Sequence, residues 1–226
     1  MYVLKWLNYT ISLIVIVLFI GSYMYKFKST NPGIVIILNG PSSVGKSSII
    51  KAFQSKENRP WLGIGIDNFF IGILPPKFYL ENKPEYYSIM QGIASEDDNG
   101  KIFKLNIGPD GQKIIKGMHR AIAAYANTGN NIIVDYIKYE DAWIDDFKKS
   151  LHGIKVIWVG VTASLETIQK REKKRGTSPE GHARSIYHRV HQDITYDLIL
   201  DTNILSPERS ANKVITHPHS GWLDGL

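Results

Sequence analysis

Ile34-Val35-Ile36-Ile37-Leu38-Asn39-Gly40-Pro41-Ser42-Ser43-Val44-Gly45-Lys46-Ser47-Ser48 is the stretch that decides how the rest of the chain is read. Residues 34–39 are a continuous run rich in β-branched side chains, the pattern of a strand buried on both faces. Gly40 to Ser47 then satisfies G-x-x-x-x-G-K-[ST] in full, and 46–55 reads as a helix. The glycines let the backbone wrap until several N–H groups converge on phosphate oxygens. Lys46 reaches the terminal phosphates, and the Ser47 hydroxyl suits Mg²⁺. The helix turns its positive N-terminal end towards the anion. Gly40, Pro41, Ser42, Ser43, Val44, Gly45, Lys46, Ser47 and Ser48 are therefore assigned to nucleotide, and the expected cofactors are ATP and Mg²⁺.

Working outward, buried-type strands alternate with amphipathic helices. Strands are expected over 62–67, 132–135, 154–161 and 196–201, and helices over 111–128, around Trp143, Ile144 and Phe147, over 164–175, and from Pro207 towards Thr216. This alternation predicts βαβ units, hence a mostly parallel five-stranded sheet covered on both faces, a three-layer α/β sandwich. Residues 68–110 read as irregular and rich in Tyr, Phe, Pro and Gly. A connection that long is usually functional, and it is assigned to the acceptor pocket.

Two acids and two arginines complete the expected chemistry. The strand over 132–135 ends in Asp135, where P-loop enzymes keep a metal-side acid, so Ser47 and Asp135 form the candidate metal pair. The strand over 62–67 ends in Asp67, and open α/β sheets bind ligands at the carboxyl ends of their strands. Asp67 is the candidate base for an acceptor hydroxyl. Arg171 and Arg175 share one helix face and lead into Gly176-Thr177-Ser178-Pro179-Glu180-Gly181. A basic helix running into a glycine-bounded loop suits a lid over nucleotide, here 176–182. With Lys46, these arginines are the expected cations on the transferring phosphoryl group.

Other classes are disfavoured. No Asn-Lys-x-Asp tetrad is present to read a guanine base, and Asp97-Asp98-Asn99-Gly100 lies in a polar stretch rather than at a strand end. The absence of Cys excludes disulfides and thiolate metal sites. The seven histidines lack zinc-site spacing and are expected to be satisfied or solvated. Half of the net charge of +6 comes from Lys5, Lys26 and Lys28; the remaining 24 basic and 21 acidic residues leave +3, no case for nucleic acid.

Residues 6–25 carry no charge. A helix of that length spans about 30 Å, the thickness of bilayer hydrocarbon. Tyr2, Trp6 and Tyr9 on one side and Tyr23, Tyr25 and Phe27 on the other fit interfacial belts. The expectation is one N-terminal transmembrane helix and linker over 1–30, then a kinase domain over 31–226. ATP dependence would place that domain in the cytosol.

The run from Ile36 to Ser47, Trp61 through Asp67, residues 132–135, Val156-Ile157-Trp158-Val159-Gly160-Val161, Arg171-Glu172-Lys173-Lys174-Arg175-Gly176, and Val190-His191 leading to Tyr196-Asp197 together resemble the chloramphenicol phosphotransferase family. The resemblance covers roughly 34–210. It implies a nucleoside-monophosphate-kinase-like fold and ATP- and Mg²⁺-dependent phosphorylation of a hydroxyl of a chloramphenicol-like small molecule, an activity tied to antibiotic resistance. It also implies that the family's base falls on Asp67 and its lid arginines on Arg171 and Arg175. The apolar N-terminus and the long 68–110 segment depart from the family's pattern. A kinase of another hydroxyl acceptor, and a membrane-tethered nucleotide-binding protein without turnover, are the alternatives.

Overall fold

The computed structural model describes residues 31–217, and the chain divides between Asn31 and Pro32. The elements are β1 (Ile34–Asn39), α1 (Lys46–Lys56), β2 (Trp61–Gly65), α2 (Ile66–Phe70), α3 (Lys77–Leu80), a 3₁₀ turn (Pro84–Tyr86), β3 (Met90–Asp97), β4 (Gly100–Ile107) and α4 (Pro109–Asn127). There follow β5 (Asn131–Tyr136), α5 (Ala142–Ser150), β6 (Lys155–Thr162), α6 (Leu165–Arg175), α7 (His182–Ile186), β7 (Leu198–Asp201) and α8 (Pro207–Ile215). Five strands form one sheet in the order β2-β5-β1-β6-β7, and every pair in it is parallel.

The central strand explains the layering. All six residues of β1 are buried, and their side chains alternate between two cores because strand geometry has a period of two. Ile34, Ile36 and Leu38 enter one core with Ile49 and Phe53 of α1 and Val214 of α8. Val35 and Ile37 enter the other with Ile115, Met118 and Ile122 of α4 and Phe147 of α5. A strand sandwiched in this way reads as a continuous apolar run, and that is what the sequence carries.

The transmembrane helix is corrected. Among the described residues no helix is long and apolar enough to cross a membrane. The apolar run over 6–25 lies outside the described residues, so neither a spanning helix nor a membrane location has structural support, and both are withdrawn.

Two further expectations change. Strand β2 stops at Gly65, and Asp67 sits in the first turn of α2. Asn68 marks the break: from the third position of the helix its Oδ1 reaches back to accept from the N–H of the N-cap residue Gly65 at 2.7 Å, the return bond of a capping box. The segment 68–110 is not irregular. It holds α3 and an antiparallel hairpin of β3 and β4, paired from Met90 with Ile107 to Asp97 with Gly100. Asn99 N–H donates to the Asp97 carboxylate at 2.8 Å, closing the turn.

Candidate active site

Strand register builds the phosphate side. Leu38 lies beside Asp135 and Asn39 beside Tyr136, so the loop leaving β1 emerges next to the acid of β5. Asn39 is fully buried and fixes this exit. Its Oδ1 accepts from Lys138 N–H at 3.0 Å, and its amide donates to the Val190 carbonyl at 2.8 Å and the Tyr196 hydroxyl at 2.6 Å. Gly40 allows the loop to pass tightly, because a Cβ there would lie 2.4 Å from the Val161 carbonyl oxygen. Gly45 turns into α1 at φ 110°, a conformation that favours glycine.

Gly40, Pro41, Ser42, Ser43, Val44, Gly45, Lys46, Ser47 and Ser48 come together as one loop and helix start. Lys46 is 4% exposed; its Nζ donates to the carbonyls of Gly40 at 2.8 Å and Pro41 at 2.9 Å and lies 3.4 Å from Asp135 Oδ1. Burial pushes its ammonium below the ordinary value, and Asp135 opposes that shift. The N–H groups of Gly45, Lys46, Ser47 and Ser48 have no acceptor among the described residues, as the first turn of a helix dictates. Ser43 Oγ is buried without a partner. Unmatched donors around a buried cation are what a polyphosphate would satisfy, so the loop fits nucleotide.

The two residues of the candidate metal pair are brought together. Ser47 Oγ donates to Asp135 Oδ2 at 2.7 Å. Among the described residues no group of three or more His, Cys, Asp or Glu could hold a metal ion. Two oxygen ligands fit Mg²⁺, which is bound by few protein groups and completes its shell with phosphate oxygens and water.

Asp67 faces the same cleft. Its carboxylate has no hydrogen bond or ion pair among the described residues. Burial raises its pKa above the ordinary 3.8; Asp135 adds to the rise, and Arg175 and Lys46 oppose it. The two arginines separate. Arg171 Nη1 donates to the Val44 carbonyl at 3.2 Å and the Thr202 hydroxyl at 2.9 Å, and its Nη2 to the Thr202 carbonyl at 2.8 Å. It braces the loop. Arg175 has no such partner among the described residues and lines the cleft. The loop over 176–182, expected to be a lid, approaches the Gly40–Ser48 loop at Ser178, whose Oγ is 3.4 Å from that of Ser42.

The cleft, of about 1300 Å³, continues past Asp67 to a wall of Phe70, Phe78, Met90, Phe103, Leu105 and Trp143. Much of that wall comes from the hairpin, which is tied to Gly181 and to α7. Arg184 Nη2 grips Asp97 at 2.6 and 2.7 Å, its Nη1 donates to the Gly100 carbonyl at 2.7 Å, and Phe103 N–H donates to the Gly181 carbonyl at 3.2 Å.

Sequence reasoning passed over three of these features. The hairpin was signalled by the alternation Phe103, Leu105, Ile107 beside an Asp-x-Asn-Gly turn. Glu172 was hidden in a basic helix; it is buried, and its two oxygens accept from Gly181 N–H and Ala183 N–H, each at 2.8 Å. His182 lies against Tyr139 in the cleft, and nothing in local spacing marks that pair.

Comparisons with known proteins agree with this architecture. A family model described as chloramphenicol phosphotransferase-like protein matches residues 33–219. Proteins of two Mycobacterium tuberculosis strains, both named "Putative O-phosphotransferase", are 36% identical over 171 residues, covering 75% of this chain and 75% of theirs. A sugar kinase from Janibacter superposes with a TM-score of 0.55 at 18% identity, covering 85% of this chain and 95% of that one. The Mycobacterium tuberculosis APS kinase, solved with AMPPNP and APS, gives 0.55 at 17% identity, covering 82% and 97%. A Deinococcus radiodurans tunicamycin resistance protein gives 0.53 at 14% identity, covering 81% and 94%. At such identities the solved structures speak for the P-loop kinase fold alone. The family and the curated relatives give the enzyme class, a phosphotransferase, and this chain belongs to the chloramphenicol phosphotransferase-like family.

Proposed function

We propose that this protein transfers a phosphoryl group from ATP to a hydroxyl of a small, uncharged, aromatic-bodied acceptor of the chloramphenicol type. One observation carries the reading: the unpartnered carboxylate of Asp67 stands in a single cleft between the phosphate loop and an aromatic wall. Bound ATP with Mg²⁺ supplies the phosphoryl group in an electrophilic, charge-neutralised form. The chain's own residues do the rest. Backbone N–H groups of 45–48 and Lys46 hold phosphate oxygens, and Ser47 and Asp135 hold the metal, directly or through water. Asp67 takes the proton of the acceptor hydroxyl as its oxygen becomes nucleophilic. A carboxyl raised above its ordinary pKa is a stronger base for that proton. Arg175 presents its guanidinium to the oxygens that gain charge, and Arg171 keeps the loop in shape.

The apolar wall favours an acceptor whose body is aromatic over a phosphorylated or sulfated one. Phe70, Phe78, Met90, Phe103, Leu105 and Trp143 offer area and ring edges but no charge. The test is direct. Full-length protein is incubated with ATP, Mg²⁺ and chloramphenicol, and the products are read by mass spectrometry. Formation of a monophosphorylated chloramphenicol together with ADP is expected. ATP binding without product would overturn this choice of acceptor.

A further inference from the structure

Tyr139 lies three residues past the end of β5, and His182 opens α7. Both line the cleft that contains Asp67. Tyr139 Oη is 2.8 Å from His182 Nε2. The rings are nearly parallel, at 5° with centroids 5.9 Å apart. Phe103 meets His182 edge-on at 6.3 Å, and Trp143 meets Tyr139 edge-on at 5.9 Å. This hydrogen-bonded pair is thus embedded in the aromatic wall.

The pair is held in place from behind. Glu172 accepts from the N–H groups of Gly181 and Ala183, the residues on either side of His182. Such a support locks the imidazole's position relative to Tyr139, the arrangement a recognition site needs. His182 is only 7% exposed. Burial, with the nearby Lys46 cation, lowers its pKa to about 4, and burial pushes the Tyr139 phenol well above its ordinary value. Both side chains are therefore uncharged at neutral pH.

Counting protons gives the consequence. A neutral tyrosine and a neutral histidine carry one hydrogen-bonding proton each. One of the two protons occupies the bond between them. If Tyr139 donates to Nε2, the second proton is on Nδ1; if Nε2 donates, the second is on the Tyr139 oxygen. Neither Nδ1 nor the second proton has a partner among the described residues. In both tautomers the pair keeps one donor and one acceptor unused.

We propose that Tyr139 and His182 act together as an uncharged donor–acceptor pair that reads a neutral polar group, such as an amide or nitro oxygen, on the body of the acceptor and so orients its hydroxyl towards Asp67. This deepens the phosphotransfer reading and rests on it. A neutral pair supplies no countercharge to offset the desolvation of an anionic group, while a neutral group pays little desolvation here. Among the other polar residues that line the cleft, Glu81 pairs with Lys83 and Asn82 with the Gly92 backbone, while Lys46, Ser47, Asp135, Arg171 and Arg175 belong to the phosphate side.

The test is equilibrium binding by calorimetry to full-length protein, with chloramphenicol and a panel of neutral aromatic alcohols with and without an amide or nitro group. The wild type is expected to prefer alcohols that carry the polar group by about 5- to 10-fold, the size of one hydrogen bond. Tyr139→Phe should erase that preference, leaving nucleotide affinity and thermal stability unchanged. His182→Gln, which keeps a donor and an acceptor, should retain most of it, and His182→Phe should lose it. A preference that survives Tyr139→Phe within about twofold, or a failure of every neutral alcohol to bind, would overturn the proposal. Discrimination in binding without phosphorylated product would instead overturn the choice of phosphoryl acceptor and leave the pair's recognition role intact.

Discussion

The two halves of the cleft are built by different means. The phosphate side hangs from β1, whose six residues are buried between two cores, and its loop is one continuous stretch from Gly40 to Ser48 that strand register sets beside Asp135. The acceptor side is a half-exposed hairpin and two short helices, pinned by contacts that cross long stretches of chain: Arg184 to Asp97, and Phe103 to Gly181. Under the proposed function, donor chemistry is set by a rigid scaffold and acceptor choice by loops and a hairpin at its rim. That division is why a local motif revealed the nucleotide half and said little about the other.

The largest expected effect lies on the phosphate side. Lys46→Ala removes a buried cation held on the Gly40 and Pro41 carbonyls and should lower kcat/KM by about 100- to 1000-fold. Steady-state kinetics together with nucleotide titration would check it. A loss confined to acceptor KM would break the comparison.

A paired core and wall substitution sharpens it. Phe53 is fully buried under the sheet with its ring edge-on to Trp61 at 4.9 Å, so Phe53→Ala should cost about 3–5 kcal/mol of global stability in denaturant titration. Phe103 is half-buried on the hairpin. Phe103→Ala should barely move the unfolding midpoint yet raise acceptor KM about fivefold through lost apolar contact, with nucleotide KM unchanged.

The smallest effect is a shift in pH dependence. Protonated Asp67 cannot accept the hydroxyl proton, so activity should rise with pH through its raised pKa, and the acid limb of kcat/KM should lie above pH 3.8. Arg175 opposes that rise. Arg175→Ala should therefore move the acid limb to higher pH as well as slow the reaction, and an unmoved limb would separate Arg175 from Asp67.

How much of this was legible in the sequence follows the same division. The buried runs at 34–39, 132–135 and 154–161 declare β1, β5 and β6 because a strand covered on both faces must be apolar throughout. Lys46, Ser47 and Asp135 were legible because motif and strand register place them together. Asp67 was found as a cleft residue but misplaced onto a strand, because Asn68, whose side chain bonds back to Gly65, looks like any polar residue in sequence. Arg171 and Arg175 share a helix face, yet only packing against Val44 and Thr202 tells brace from cleft cation. The Tyr139–His182 contact joins residues 43 positions apart, and no local pattern encodes it. The apolar run over 6–25 shows the opposite error, where hydropathy alone supported a spanning helix that the structure does not support.

Asp67 stands where the two halves meet, so its removal tests the account most directly. Asp67→Asn, measured for nucleotide affinity, acceptor affinity and phosphoryl transfer on the same preparation, should bind both partners within about threefold of wild type while transfer falls by about 100- to 10,000-fold. Transfer that persists near the wild-type rate would contradict the assignment of Asp67 as the base and, with it, the reading of the cleft as one catalytic site.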